Sequence, residues 1–189
     1  PVMRPKSNIS TAMSWSTTKL ARCILPDHPD ANAAEAVRQA LYTYARGVDR
    51  RDRALIAAAF SENARISLGK IYSGGPDGFA DVAMEFMGMF AATRHDVGNI
   101  RMITHGDGAI GYEAYVRTWH LMSDGGRELT VLGRYIGKAR EGASGWRLDE
   151  HDELMDWGEE RPVASDWFAG NGELTKGCRD AEDGSYAVV

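Results

Sequence analysis

Cysteine is scarce in this chain. Two residues in 189, Cys23 and Cys178, stand far apart, with no C-x-x-C pair and no Cys/His ligand spacing. That excludes a zinc knuckle and a disulfide framework, and the expectation is two free thiols in a reducing compartment. No apolar run is long enough to span a bilayer. No cluster of Lys or Arg marks a helix or strand, and the formal net charge is -5, so nucleic acid is not the expected partner. The segment "YSGGPDG" is glycine-rich but lacks the trailing Lys-Ser/Thr of a phosphate-cradling loop. No internal repeat is present. The first thirty residues are basic and rich in Ser and Thr, without the apolar core of a signal peptide, and read as an arm of a cytoplasmic protein.

What is present suits one domain with extra tails. Hydrophobic residues make up 43%, enough for a real core. From Asp30 to Asp49 the apolar positions Val37, Leu41, Tyr44, Ala45 and Val48 recur at spacings of three and four, one face of a helix, with Asp30 or Asn32 as its cap. "RDRALIAAAF" adds a short second helix and "SENARISLG" a strand. After a Gly-Gly-Pro turn, Phe79, Val82, Ala83, Phe86 and Phe90 form the buried stripe of a third helix, with Met84, Met87 and Met89 as an adaptable apolar wall.

Beyond His95 the period falls from 3.6 to 2. "NIRMITHGDGAIGYEAYVRTWHLM" predicts two strands joined at Asp107-Gly108, and "GRELTVLGRYIGKAR" and "GWRLDEHDELMDW" predict two more. Helices first and tightly joined strands afterwards predict an α+β fold: a cone-shaped, curved antiparallel sheet with three N-terminal helices in its concave side. From Gly158 the chain turns polar and Gly-rich, with Trp167 and Phe168 as isolated anchors. The expected organisation is an N-terminal arm over 1–30, a cone domain over 31–160 and a C-terminal extension over 161–189.

Five stretches then match one pattern in order and spacing: "YARGVDRRD", "FSENARI", a Gly-Pro before the third helix, "RHDVGN" and "GWRLDEHDELMDW". Together, over roughly residues 33 to 160, the chain resembles the SnoaL-like branch of the nuclear-transport-factor-two-like superfamily. That group includes scytalone dehydratase, a bile-acid dehydratase, hexachlorocyclohexane dehydrochlorinase, diarylpropane lyases that release formaldehyde, ketosteroid isomerase, polyketide cyclases and dioxygenase small subunits. In the dehydratase and dehydrochlorinase branch an Asp ending the first helix orients a His just past the third. The resemblance implies that Asp49 and His95 take those roles, and that Tyr44, five residues before Asp49, joins them.

The chemistry this implies is general acid–base catalysis. Neutral imidazole is a serviceable base near neutral pH, and a carboxylate on its other nitrogen fixes the tautomer and stabilises the imidazolium. Tyr44 is expected to donate to a leaving hydroxyl or a carbonyl. His120 shares the apolar face of its strand with Ile110, Tyr112, Ala114, Val116 and Thr118, and is expected to point inward as a core residue or a substrate contact. Tyr135, lying opposite, is a further candidate. Asn99 either bonds the substrate or finishes its turn, and the orientation of His151 is open because neither face of its strand is cleanly apolar. Phe86 and Phe90 complete the candidate binding residues; His28 and His105 carry no assigned role.

The expected activity is that of a cofactor-independent lyase. It would need no metal and would expel water, or formaldehyde by a retro-aldol-like step, from a hydroxylated aromatic or polycyclic small molecule. A non-catalytic ligand-binding or dioxygenase-subunit role, and isomerase or cyclase chemistry, are the alternatives. Tyr115 and Trp119 on the outer sheet face predict a homodimer or homotrimer.

Overall fold

The computed structural model describes residues 27–189. Cys23 and most of the expected N-terminal arm lie outside them. The elements run α1 (Ala31–Arg50), α2 (Arg53–Ala58), β1 (Phe60–Leu68), β2 (Tyr72–Gly74), α3 (Pro76–Met87), β3 (Phe90–Thr104), β4 (Ile110–Met122), β5 (Arg127–Gly142) and β6 (Gly145–Pro162), followed by two 3₁₀ turns, Trp167–Gly170 and Gly184–Ala187. The strands form one curved, unclosed sheet in the order β2-β1-β6-β5-β4-β3, with three helices packed on one face. This is the expected α+β cone. All neighbours are antiparallel except β1 and β6, which run parallel.

Asp30 caps α1 with its carboxylate, accepting from the N–H groups of Asn32 and Ala33. The helix ends where Arg51 turns left-handed (φ 52°) and returns its N–H to the carbonyls of Gly47 and Val48. The α1 face predicted from spacing is the buried one: Val37 and Leu41 are 0% exposed, and Tyr44 and Val48 nearly so. Each such side chain contributes about 1.5–3 kcal/mol by leaving water. Alternation holds along β4 as well, with Tyr112, Ala114, Val116, Thr118 and His120 buried, and Tyr115 and Arg117 exposed.

Three boundaries differ from the sequence reading. β3 begins at Phe90, so His95 sits within a strand, opposite Thr118, and not in the connection after α3. "FAAT" has no period-2 pattern of its own; pairing with Leu121 and His120 on β4 makes it a strand. The segment Tyr72–Gly74, read as turn, pairs with Ile66–Leu68 as a short edge strand. β6 continues past Gly158 to Pro162 because β5 supplies partners along its whole length.

Candidate active site

Asp49 lies in the last turn of α1, where the helix dipole opposes a carboxylate. Its environment compensates with three donors from β3. Asp49 Oδ2 accepts from the backbone N–H of His95 at 3.0 Å, and Oδ1 accepts from the Thr93 hydroxyl at 2.8 Å and from His95 Nδ1 at 2.7 Å. Thr93 and His95 are two residues apart on one strand, so both side chains meet the end of the helix. Burial pushes the Asp49 carboxyl up, but the bonds from His95 and Thr93 outweigh it and hold the group below the usual carboxylate range. With Nδ1–H committed to Asp49, the lone pair of the neutral imidazole is on Nε2, and His95 lines a cavity.

That cavity, of about 440 Å³, is walled mostly by apolar side chains: Phe79, Val82, Ala83, Phe86 and Met87 from α3, Val116 from β4, Leu129 and Val131 from β5, and Met155 and Trp157 from β6. Polar groups enter at few points, chiefly Tyr44, His95, Thr118, His120, Tyr135 and Glu153. His120 meets His95 edge-on with ring centroids 5.5 Å apart and lies 4.5 Å from the ring of Phe90. Its Nδ1 is buried and has no hydrogen-bond partner. Burial first, and the neighbouring His95 second, push its pKa down to about 4, so the ring is neutral near pH 7.

Across the cavity a second polar cluster forms. The Tyr44 hydroxyl donates a short hydrogen bond to Glu153 Oε1. His151 Nε2 stands 3.5 Å from the same oxygen, within ion-pair distance but without the geometry of a hydrogen bond. Behind it, His151 Nδ1 is 2.8 Å from the Tyr112 hydroxyl. Gly137 makes room for this arrangement, since a Cβ there would overlap the Glu150 carbonyl and crowd the Tyr112 oxygen. Burial pushes the Glu153 carboxyl up, but His151 and Tyr44 outweigh it and hold it below its ordinary value. Burial and the nearby Glu153 raise the Tyr44 phenol well above its ordinary value, so the hydroxyl keeps its proton.

The structure thus brings together His95, His120, Tyr44, Tyr135 and Phe86 around one space, with Asp49 behind His95, and treats the remaining candidates differently. His151 is 0% exposed, ringed by Tyr44, Phe60 and Tyr135, and does not reach the cavity. Asn99 is exposed at a bulge in β3 with φ 47°, outside the cavity lining. It finishes a distortion of the strand, which Asn tolerates at positive φ. Phe90 is a backing residue, packed on Phe86 and His120. Of the three methionines only Met87 lines the cavity, and Met89 is exposed. Tyr44 directs its proton at Glu153, so in this arrangement it offers a lone pair to the cavity and not the donor expected of it. Glu153 was missed. Its signal was its spacing of two from His151, which puts both on one strand face, but a face carrying two ionisable groups did not read as interior.

Among the described residues no group of His, Cys, Asp or Glu is arranged to hold a metal ion, and no helix is long and apolar enough to cross a membrane. No curated protein matches the chain. Solved structures match its fold. A hexachlorocyclohexane dehydrochlorinase of Novosphingobium barchaimii LL02 superposes with a TM-score of 0.63 at 16% identity, covering 71% of this chain and 92% of its own. A Novosphingobium aromaticivorans protein assigned provisionally as a scytalone dehydratase gives 0.62 at 17%, covering 70% and 89%. The Kfla4162 protein of Kribbella flavida gives 0.61 at 19%, covering 68% and 93%. The SnoaL-like domain family matches residues 29–152, more than half of the chain and all of the elements that frame the cavity up to the middle of β6, and the chain belongs to that family.

Proposed function

We propose that the protein is a cofactor-independent lyase acting on a hydroxylated aromatic or polycyclic small molecule, with His95 as its base. One observation carries the reading: the 2.7 Å contact between Asp49 Oδ1 and His95 Nδ1, on an imidazole that borders an apolar cavity of about 440 Å³. A cavity of that size takes a small ligand. In water elimination, His95 Nε2 takes a proton from carbon, a C=C bond forms, and the C–O bond of the neighbouring carbon breaks. The imidazolium, held by Asp49, then returns its proton to the departing hydroxide, so that only water leaves. In a retro-aldol step the same nitrogen would take the O–H proton of a hydroxymethyl group. Formaldehyde would depart and the imidazolium would protonate the carbanion left behind.

The second cluster revises the role of Tyr44. Glu153 is an ionised acceptor whose nearest donor is Tyr44, and together they suit a substrate hydroxyl better than a leaving group that needs a proton. His120, neutral and with one ring nitrogen unpartnered, suits a second polar atom of the substrate. The relatives named above include a dehydrochlorinase and a provisional dehydratase, which supports elimination chemistry in general and leaves the leaving group to experiment.

The test is turnover. Aromatic and polycyclic alcohols are screened without added metal or nicotinamide, and kcat and KM are measured for His95→Ala on any substrate found. Loss of kcat with little change in KM is expected, because a base acts in the transition state. Full turnover in a folded His95→Ala protein would leave a ligand-binding role as the better reading.

A further inference from the structure

The site described so far lies within residues 44–157, yet Asp49 is braced from beyond it. Arg179, in the C-terminal extension, sends its guanidinium into the gap between the ends of α1 and α3. Nε donates to the carbonyl of Asp49 at 3.0 Å, and Nη1 to the carbonyls of Met87 at 3.0 Å and Phe90 at 2.7 Å. Nη2 donates to the Val48 carbonyl at 3.3 Å and to Thr93 Oγ1 at 3.2 Å. The helix ends present carbonyls short of intrahelical partners; one planar five-donor group reaches those of Asp49 and Met87, shares that of Val48 with the Arg51 N–H, and takes in the start of β3.

The Thr93 contact ties this brace to the chemistry. A hydroxyl has one proton, and an oxygen that accepts from Arg179 is left to give its proton to Asp49 Oδ1, 2.8 Å away. Oδ1 is the atom that also holds His95 Nδ1. The extension is itself pinned to the same end of α1. Asp183 is buried and lies 3.6 Å from Arg50, Tyr186 donates to Asp52 at 2.8 Å, and Arg46 rests over the Tyr186 ring and donates to Ser185. The family match ends at residue 152, well before these anchors.

From this geometry we infer that Arg179 is a positioning residue: the C-terminal extension completes the active site by holding Thr93 and Asp49 in the arrangement that orients His95. The effect on turnover rests on the lyase reading above; the effect on the Asp49–His95 hydrogen bond does not. Of the chain Arg179–Thr93–Asp49–His95 only the last member lines the cavity. Loss of the first link should therefore lower kcat and leave KM alone.

Two readouts test it on the full chain. The first is the low-field proton resonance of His95 Nδ1–H, identified by its absence from Asp49→Asn. The second is kcat. In Arg179→Ala the resonance should vanish into exchange with water and kcat should fall about 100-fold, the scale of a misplacement near 1 Å, with KM unchanged. Low-millimolar guanidinium should restore both. Thr93→Val should reproduce the loss with the extension still docked, Thr93→Ser should not, and Lys176→Ala on the same segment should change nothing. A folded Arg179→Ala protein that keeps its resonance and its kcat overturns the inference. If Arg179→Ala does not fold, Thr93→Val decides, and an intact resonance there overturns it equally. If His95→Ala keeps full turnover the lyase reading falls, while the resonance still judges the brace.

Discussion

Two carboxylate–histidine pairs border one cavity, and they are stacked in opposite order. In the pair on α1 and β3 the histidine, His95, faces the space and Asp49 stands behind it. In the pair on β6 the carboxylate, Glu153, faces the space and His151 stands behind it at 0% exposure. The same two side-chain types therefore present opposite surfaces. The first offers a ring nitrogen whose opposite nitrogen is held by a carboxylate at its back. The second offers an anionic oxygen, supported by an imidazole and the Tyr44 hydroxyl. On the proposed function, order of depth, more than residue identity, would separate a proton-moving pair from a hydroxyl-accepting pair.

The comparison predicts its largest effect at the first pair. His95→Ala should lower kcat about 100- to 10,000-fold, the range of general acid–base catalysis. Asp49→Asn should approach that loss, since an amide can hold the imidazole in the wrong tautomer. Steady-state kinetics on purified variants, with a melt to establish folding, measures both. If His151→Gln instead gave the larger drop, the assignment of the two pairs would have to be exchanged.

The next effect separates both pairs from His120, which has no carboxylate. Its pKa is pushed from 6.5 down to about 4 by burial. A base depressed in the folded state binds its proton more tightly when unfolded, so stability falls as pH drops from about 6.5 to about 4. A fall from 6.5 to about 4 corresponds to on the order of 3 kcal/mol. The carboxyls of Asp49 and Glu153 are lowered in the folded state, so their stabilisation is full above the ordinary carboxylate range and is lost as pH falls through and below that range. Urea unfolding of the parent and of His120→Gln at pH 7 and pH 5 should show the loss between those values in the parent and much less of it in the variant. Equal losses would mean that another group titrates there.

These differences between regions also mark what the sequence could convey. The α1 face and the β4 alternation were legible because burial follows a simple period in both, and His120 was correctly turned inward from its neighbours. The start of β3 was not, because Phe90–Thr93 carries helix-compatible residues and becomes a strand only by pairing with β4. Glu153 was hidden by a rule that usually holds: ionisable residues on a strand face outward unless partners compensate them, and its partners come from α1 and from its own strand. The pairing of Asp49 with His95 came from family resemblance, since nothing local to either residue requires it. Arg179 gave no sign at all, as its partners lie 86 to 131 residues earlier in the chain.

A third and smaller effect belongs to Glu153. If it accepts a substrate hydroxyl, Glu153→Gln removes the charge and keeps the shape. KM should rise about tenfold, as expected for a hydrogen bond to a charged group, while kcat changes less. A kcat loss as deep as that of His95→Ala would make Glu153 a second base and end the distinction between the pairs.

The smallest effect on turnover is expected at Tyr44, and it tests whose proton is used. The ring packs against Phe60, Phe79 and Tyr135 with centroids 5.5 to 5.8 Å apart, and Tyr44→Phe keeps all of these contacts. Only the bond to Glu153 is lost, leaving a buried carboxylate with one donor fewer. The cost should be about 1.5–3 kcal/mol of stability, the range for a hydrogen bond to a charged group, read by urea unfolding at pH 7. It should shrink in acid, once Glu153 takes up its own proton below the ordinary carboxylate range and no longer depends on a donor. On turnover the change should be a few-fold and confined to KM, because a hydroxyl committed to Glu153 has no proton to give a leaving group. A fall in kcat as large as that of His95→Ala would show the opposite, that the Tyr44–Glu153 bond opens during the reaction and the phenol protonates what departs.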